Sequence, residues 1–318
     1  MKTNTDLQTA LDKVIARYGD RAGDYLESVA IRREIIYDDY IETDALLSLQ
    51  HTLTDYHDEL TFLIYHQQTE LWFRLTLHEM EKGIQSLLES PANISRALEA
   101  AIRTNRIMGF LTDSFSVLID GLSSEEFLGF RKAFGSSSGF QSAQFRAIEI
   151  VAGLERKAKG EDKTFYWERA ARDISTGEPT LTLVKFKEKH LTWLNEMYEK
   201  REPYSFRMAY EKVLRATSTE SDLQKLYHLG ISGDLGVALQ TLGDELIKLD
   251  RSIIDWKRSH LRAAAKHMSK VTRGTGETNW AEYLARSIAE EHYFPELVKA
   301  KEEIGAEEEV ESITLGDA

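Results

Sequence analysis

Four prolines in 318 residues, Pro91, Pro179, Pro203 and Pro295, leave long stretches in which nothing interrupts a helix. Those stretches are rich in Leu, Ala, Glu, Lys and Arg, the side chains that lose least on entering a helix. Apolar residues recur in them at steps of three and four. The spacing predicts helices over 6–30, 42–54, 58–83, 92–120, 124–134, 141–158, 183–200, 204–216, 232–270 and 279–303, and an all-α fold, a bundle of long helices. Ser123 and Glu126 have capping-box spacing, and Gly135 stands where the 124–134 helix would stop. The polar stretch 159–182 reads as a loop or insertion, and the acidic tail 301–318 as disordered. Residues 1–30 form a helical extension to a main domain over 31–300.

A formal net charge of −13 opposes binding to nucleic acid and to anionic membranes, both of which need a clustered positive face. No run of about 18 apolar residues occurs, and the N-terminus MKTNTDLQTALDKV lacks the apolar core of a signal peptide, so the expected location is cytoplasmic. The absence of cysteine removes disulfides, thiolate-bound metals and cysteine nucleophiles together.

Four segments place chemistry-bearing side chains where a plain helical bundle would not need them. In DELTFLIYHQQTELWFRLTLHEMEKG, His66 shares a helix face with Phe62, Thr69 and Phe73. A buried imidazole costs roughly 1–3 kcal/mol unless it is partnered. Its partner is either Glu70, one turn on, or a ligand. Leu235, Leu239, Leu242, Leu246, Leu249, Ile253 and Trp256 form a stripe whose next member is His260, followed by Ala263, Ala264 and Ala265, which leave space beside the ring. That histidine either bonds a core carbonyl or serves as a ligand. Arg131 follows Phe127 by one turn, suited either to bidentate capture of a carboxylate or to a surface pair with Glu125 or Glu126. The small-residue loops GSSSGFQSAQFR (135–146) and RGTGETNW (273–280) permit close approach to a flat ligand. A carboxylate-bridged metal site at His66/Glu70 or His78/Glu79 would need E-x-x-H on two helices, and no such pair is found.

Taken in order, YDDYIETDALLSLQ, FLIYHQQTELWF, EEFLGFRKAFGSSSGFQSAQFR and DWKRSHLRAAAKHMSKVTRGTG resemble the tryptophan 2,3-dioxygenase family, from about Tyr37 to about Leu297. The resemblance implies an all-helical homotetramer whose 31–300 domain binds haem b and uses O2. It places His260 as the axial iron ligand, with Trp256 and Ser138 beside the haem. His66 matches the histidine that meets the indole N–H, Phe62 and Phe127 the aromatic walls, and Arg131 the clamp on the substrate carboxylate. Thr275 matches a loop threonine at the amino acid's polar end, and Tyr37 and Tyr40 match tyrosines lent by a neighbouring subunit. The implied reaction opens the indole C2=C3 bond of tryptophan to an N-formylkynurenine-type product, the chemistry of the kynurenine pathway.

The sequence departs from the family where Glu277, Thr278, Asn279 and Trp280 replace small residues after Gly274-Thr275-Gly276, and where Ser259 replaces an arginine before the axial histidine. A reshaped loop suits a substituted tryptophan or another indole, or insertion of a single oxygen atom. A haem-binding sensor, an inactive binding module and a helical interaction protein are the alternatives of another class.

Overall fold

The computed structural model describes residues 4–31, 36–135, 137–159, 162–173, 175–201, 205–217, 233–268 and 280–301. Two units compose it, Met1–His51 and Thr52–Ala318. The first holds α1 (Asn4–Tyr18), α2 (Ala22–Ile31), α3 (Tyr37–Ile41) and α4 (Thr43–Leu47). The helix expected over 6–30 breaks at Gly19, whose φ of 55° costs glycine little, and Tyr18 stacks on Tyr25 across the break at 4.1 Å. The helix expected over 42–54 is shortened to α4, which ends at Leu47, and Glu42 at φ 53° separates it from α3.

The larger unit runs α5 (His57–Leu88), α6 (Ile94–Asp113), α7 (Ser116–Ile119), α8 (Ser124–Phe130), α9 (Ala143–Ala152), α10 (Tyr166–Ala170), α11 (Leu181–Arg201), α12 (Phe206–Ala216), α13 (Asp234–Met268) and α14 (Trp280–Glu290), with a last helix over 295–301. The all-α expectation holds. Its core forms where α6 lies along both α5 and α13. Phe73, Met80 and Ile84 of α5, Ala97, Ala101 and Met108 of α6, and Leu239, Leu242, Leu246 and Ile253 of α13 are buried there, so the leucine stripe faces the core from Leu239 onward, while Leu235 at its start is exposed. The small α6 residues let the three axes approach closely. No helix among the described residues is long and apolar enough to cross a membrane.

The stretch 159–182 is not a bare loop. Strands β1 (Lys157–Lys159) and β2 (Asp162–Thr164) pair antiparallel, and Phe165 and Trp167 beside them are fully buried. Those aromatics, set among polar neighbours, anchor the segment to the core. The 141–158 helix also ends early, at Ala152, because Gly153 takes φ 140°. Residues 302–318 of the predicted tail lie outside the described residues.

One contact decides where the site forms. The Asp58 amide donates to Glu126 Oε2 at 2.9 Å, and the Ser123 amide donates to Asp58 Oδ2 at 2.7 Å. This reciprocal clamp locks the start of α8 to the start of α5. Only half the predicted capping box therefore forms: Ser123 Oγ accepts from the Glu126 amide, while the Glu126 carboxylate is drawn to α5.

Candidate active site

The clamp brings Phe127 and Phe130 of α8, and Phe134 of the following 3-10 turn (Arg131–Phe134), around Phe62 at centroid distances of 5.7, 5.6 and 5.4 Å. One turn after Phe62, the His66 ring packs on it at 4.1 Å. His66 does not bond Glu70, whose Oε2 accepts from Gln144 Nε2 at 2.9 Å. Its Nδ1 lies 2.7 Å from the Phe62 carbonyl oxygen instead. A carbonyl only accepts, so Nδ1 carries the hydrogen and Nε2 keeps its lone pair. Burial lowers the His66 pKa, outweighing the Phe62 carbonyl and the Glu70 carboxylate, which favour the charged form. At neutral pH the ring is an uncharged acceptor. Arg131 is half-buried at the end of α8; that burial lowers its pKa, and the guanidinium's intrinsic basicity leaves it a cation.

Opposite stands α13. Trp256 and His260 lie 5.5 Å apart, Phe145 packs on Trp256 at 4.5 Å, and Phe115 stacks on His260 at 6.0 Å. Tyr65, 5.5 Å from His66 and 5.8 Å from Phe115, links the two sides. His260 is half-buried and has no hydrogen-bond partner among the described residues, so the expected core carbonyl is not there. Burial, together with the electrostatic influence of His66 and Arg146, lowers its pKa to about 4. Two neutral imidazoles therefore border a shared interior. The Trp256 Nε1–H is buried and unpartnered among the described residues. Gly139 flanks the same ring: a methyl group there would lie 3.8 Å from His260 Cε1 and 3.9 Å from Nε2. Ser138 shapes this turn, its Oγ accepting from the Phe140 amide and its own amide donating to Gln141 Oε1.

Residues 27–229 match the family model for tryptophan 2,3-dioxygenase. The chain belongs to the tryptophan 2,3-dioxygenase family. It is 30% identical over 272 residues to the tryptophan 2,3-dioxygenase of Ruegeria pomeroyi, covering 83% of this chain and 91% of the relative. The enzyme of Rhodococcus jostii is 30% identical over 285 residues, 85% of this chain and 92% of that protein. The enzyme of Saccharopolyspora erythraea is 29% identical over 279 residues, at 86% and 94%. As a member of the tryptophan 2,3-dioxygenase family, the chain is a haem-dependent dioxygenase that uses O2 on tryptophan.

Of the residues singled out in the sequence, this family member brings Phe62, His66, Phe127, Ser138, Trp256 and His260 into one neighbourhood, with Arg131 one turn beyond Phe127. Tyr37 and Tyr40 lie on α3 of the N-terminal unit, 74% and 77% exposed, and Thr275 and Glu277 lie outside the described residues. Two features escaped the sequence. His267 is buried between the Leu118 carbonyl and Ser124 Oγ, each at 2.9 Å, and packs on Phe127 at 5.4 Å. Behind Phe145 and Trp256, Arg146, Glu149, Lys257 and Glu291 form a buried ionic cluster.

Proposed function

We propose that this chain opens the indole ring of L-tryptophan, or of a ring-substituted tryptophan, with haem b and O2, giving an N-formylkynurenine-type product. The observation that supports this most is the pair of uncharged imidazoles, His66 and His260, on facing sides of one interior. The residues around His260 fit a haem: an unbonded neutral imidazole, a glycine, Gly139, in place of a larger side chain against that ring, and a buried Trp256 N–H without a partner among the described residues. His260 would be the axial ligand, with Ser138 and Trp256 beside the group. When bound, haem supplies the ferrous iron at which dioxygen is activated.

The chain's own residues then orient the substrate. His66 Nε2, fixed as an acceptor by the Phe62 carbonyl, receives the indole N–H, while Phe62 and Phe127 cover the ring. Arg131 clamps the carboxylate, and Thr275 meets the polar end. Anchoring both ends rejects analogues lacking either group, since each would leave a buried polar side chain unpaired. Both oxygen atoms enter the product, one at each carbon of the former C2=C3 bond, so no external reductant is consumed. In this reading residues 31–300 are the catalytic domain, 1–30 a helical extension and 301–318 an acidic tail. The enzyme is a cytoplasmic homotetramer in which Tyr37 and Tyr40 complete a neighbour's pocket.

Turnover of tryptophan under ¹⁸O2, read by mass spectrometry, should show both product oxygens labelled. A single labelled atom would mean mono-oxygenation, and a haem-loaded protein without turnover would mean a binding module. Arg131→Ala should raise KM, with a loss of roughly 2–4 kcal/mol of charge-assisted bonding at the carboxylate. Parent-like KM for tryptophan, with tryptamine discriminated as before, would place the clamp on another residue.

A further inference from the structure

α5 carries a second face. At about 100° per residue, Phe62, His66, Thr69 and Phe73 point one way, and His57, Leu60, Ile64, Gln67, Gln68, Leu71, Leu75 and His78 share an arc on the opposite side. The four aliphatic side chains in that arc are not buried: Leu60 is 43% exposed, Ile64 43%, Leu71 57% and Leu75 39%. A helix that hides one apolar face in the core and leaves a second in water is incomplete without a partner.

The order of these residues says what the partner is. About the point between Gln67 and Gln68 the face reads the same in both directions: Gln67 answers Gln68, Ile64 answers Leu71, Leu60 answers Leu75, and His57 answers His78. A second copy laid antiparallel across this face sets each aliphatic residue against an aliphatic residue. It also sets amide against amide at the two-fold axis, as an isologous contact requires. Charge agrees. None of the eight positions is Asp, Glu, Lys or Arg, although the chain holds 53 acidic and 40 basic residues and a net charge of −13 that repels another copy elsewhere. Area agrees as well. The face is a ridge roughly 32 Å long and about 10 Å wide, and Trp72 and Phe110, rings 5.0 Å apart, widen it on one flank. That is the apolar centre of an interface of the roughly 800 Å² per subunit a stable dimer needs.

We infer that α5 pairs antiparallel with α5 of a second copy through this face, so that the helix bearing Phe62 and His66 is held from behind by its own twin. The inference gives a seam to the homotetramer of the reading above, on which it rests. The chain has no cysteine, so a single introduced thiol reports one position. In the full-length haem-loaded protein, Gln68→Cys places two thiols beside the axis and should form a covalent dimer on mild oxidation. Leu75→Cys places them roughly 22 Å apart along the helices, too far to bridge, and should form none. Pairing Leu60→Cys with Leu75→Cys in one chain should restore the covalent dimer. Leu71→Glu, at an exposed position, should halve the mass measured by light scattering while the helical circular dichroism stays that of the parent. A tetramer that keeps its mass in Leu71→Glu, or that crosslinks equally through Leu75→Cys and Gln68→Cys, overturns the seam and leaves the tetramer standing. A parent protein that is monomeric at working concentration overturns both.

Discussion

His260→Ala should yield a folded, helical chain that purifies with no Soret band. The imidazole is half-buried, uncharged and without a hydrogen-bond partner among the described residues. Its removal therefore orphans no buried polar group, the usual source of large destabilisation in a core. What is lost is the proposed axial ligand. The apoprotein's unfolding midpoint should stay near the parent's while haem content after reconstitution falls by more than tenfold, and added imidazole should restore part of the absorbance. His267→Ala is the informative contrast, because that ring holds the Leu118 carbonyl and Ser124 Oγ together and packs on Phe127. It should lower stability by roughly 1–3 kcal/mol and still take up haem. A full Soret band in His260→Ala would remove that residue from the axial role.

The elements that a helical period writes into the sequence appeared where it puts them: α5 over His57–Leu88 and α13 over Asp234–Met268, each carrying its histidine on the expected face. The period says which side chains share a face. It does not say where a polar group on that face will find its partner. Glu70 is one turn from His66, yet the carboxylate belongs to Gln144, some seventy residues on, and the imidazole turns back to a carbonyl of its own helix. Backbone breaks at Gly19 and Gly153 were equally hidden, since a glycine inside a periodic run takes a positive φ only when its neighbours have somewhere else to pack. The Arg131 turn was legible because Ser123, Glu126 and Gly135 punctuate it. The clamp through Asp58 that aims it was not, because it joins residues 65 and 68 positions apart. The ionic cluster behind Trp256 is the extreme case. Only the Arg146–Glu149 pair is local.

That cluster sets the largest stability effect expected of any substitution in the chain. Glu149 is fully buried and accepts from Arg146 and Lys257, each at 2.7 Å, and from Tyr293 Oη at 3.0 Å. Lys257 also reaches Glu291 at 2.5 Å, and Arg146 donates to Tyr283 Oη at 2.7 Å, so two cations and two carboxylates balance out of water. Glu149→Ala leaves two buried cations facing one carboxylate, which should cost about 3–5 kcal/mol, a large share of the 5–15 kcal/mol that holds a typical domain together. Urea unfolding followed by circular dichroism should show it. Glu291→Gln should cost far less: burial and the neighbouring Glu149 raise its pKa despite Lys257, and its Oε1 has no partner among the described residues. The two carboxylates therefore pull the pH dependence in opposite directions. Burial alone would raise Glu149, but Lys257 and Arg146 hold it well below its ordinary value of 4.5. Its contribution is complete above that value and is lost as the pH falls below it. Glu291, raised in the folded state, costs stability as the pH climbs past 4.5 towards its folded pKa. Between about pH 5 and pH 3 the parent should thus lose stability that Glu149→Gln, already without the charge, does not lose. Equal losses in both proteins over that range would mean that Glu149 is not the carboxylate carrying the charge, and that the proton sits on it instead of on Glu291.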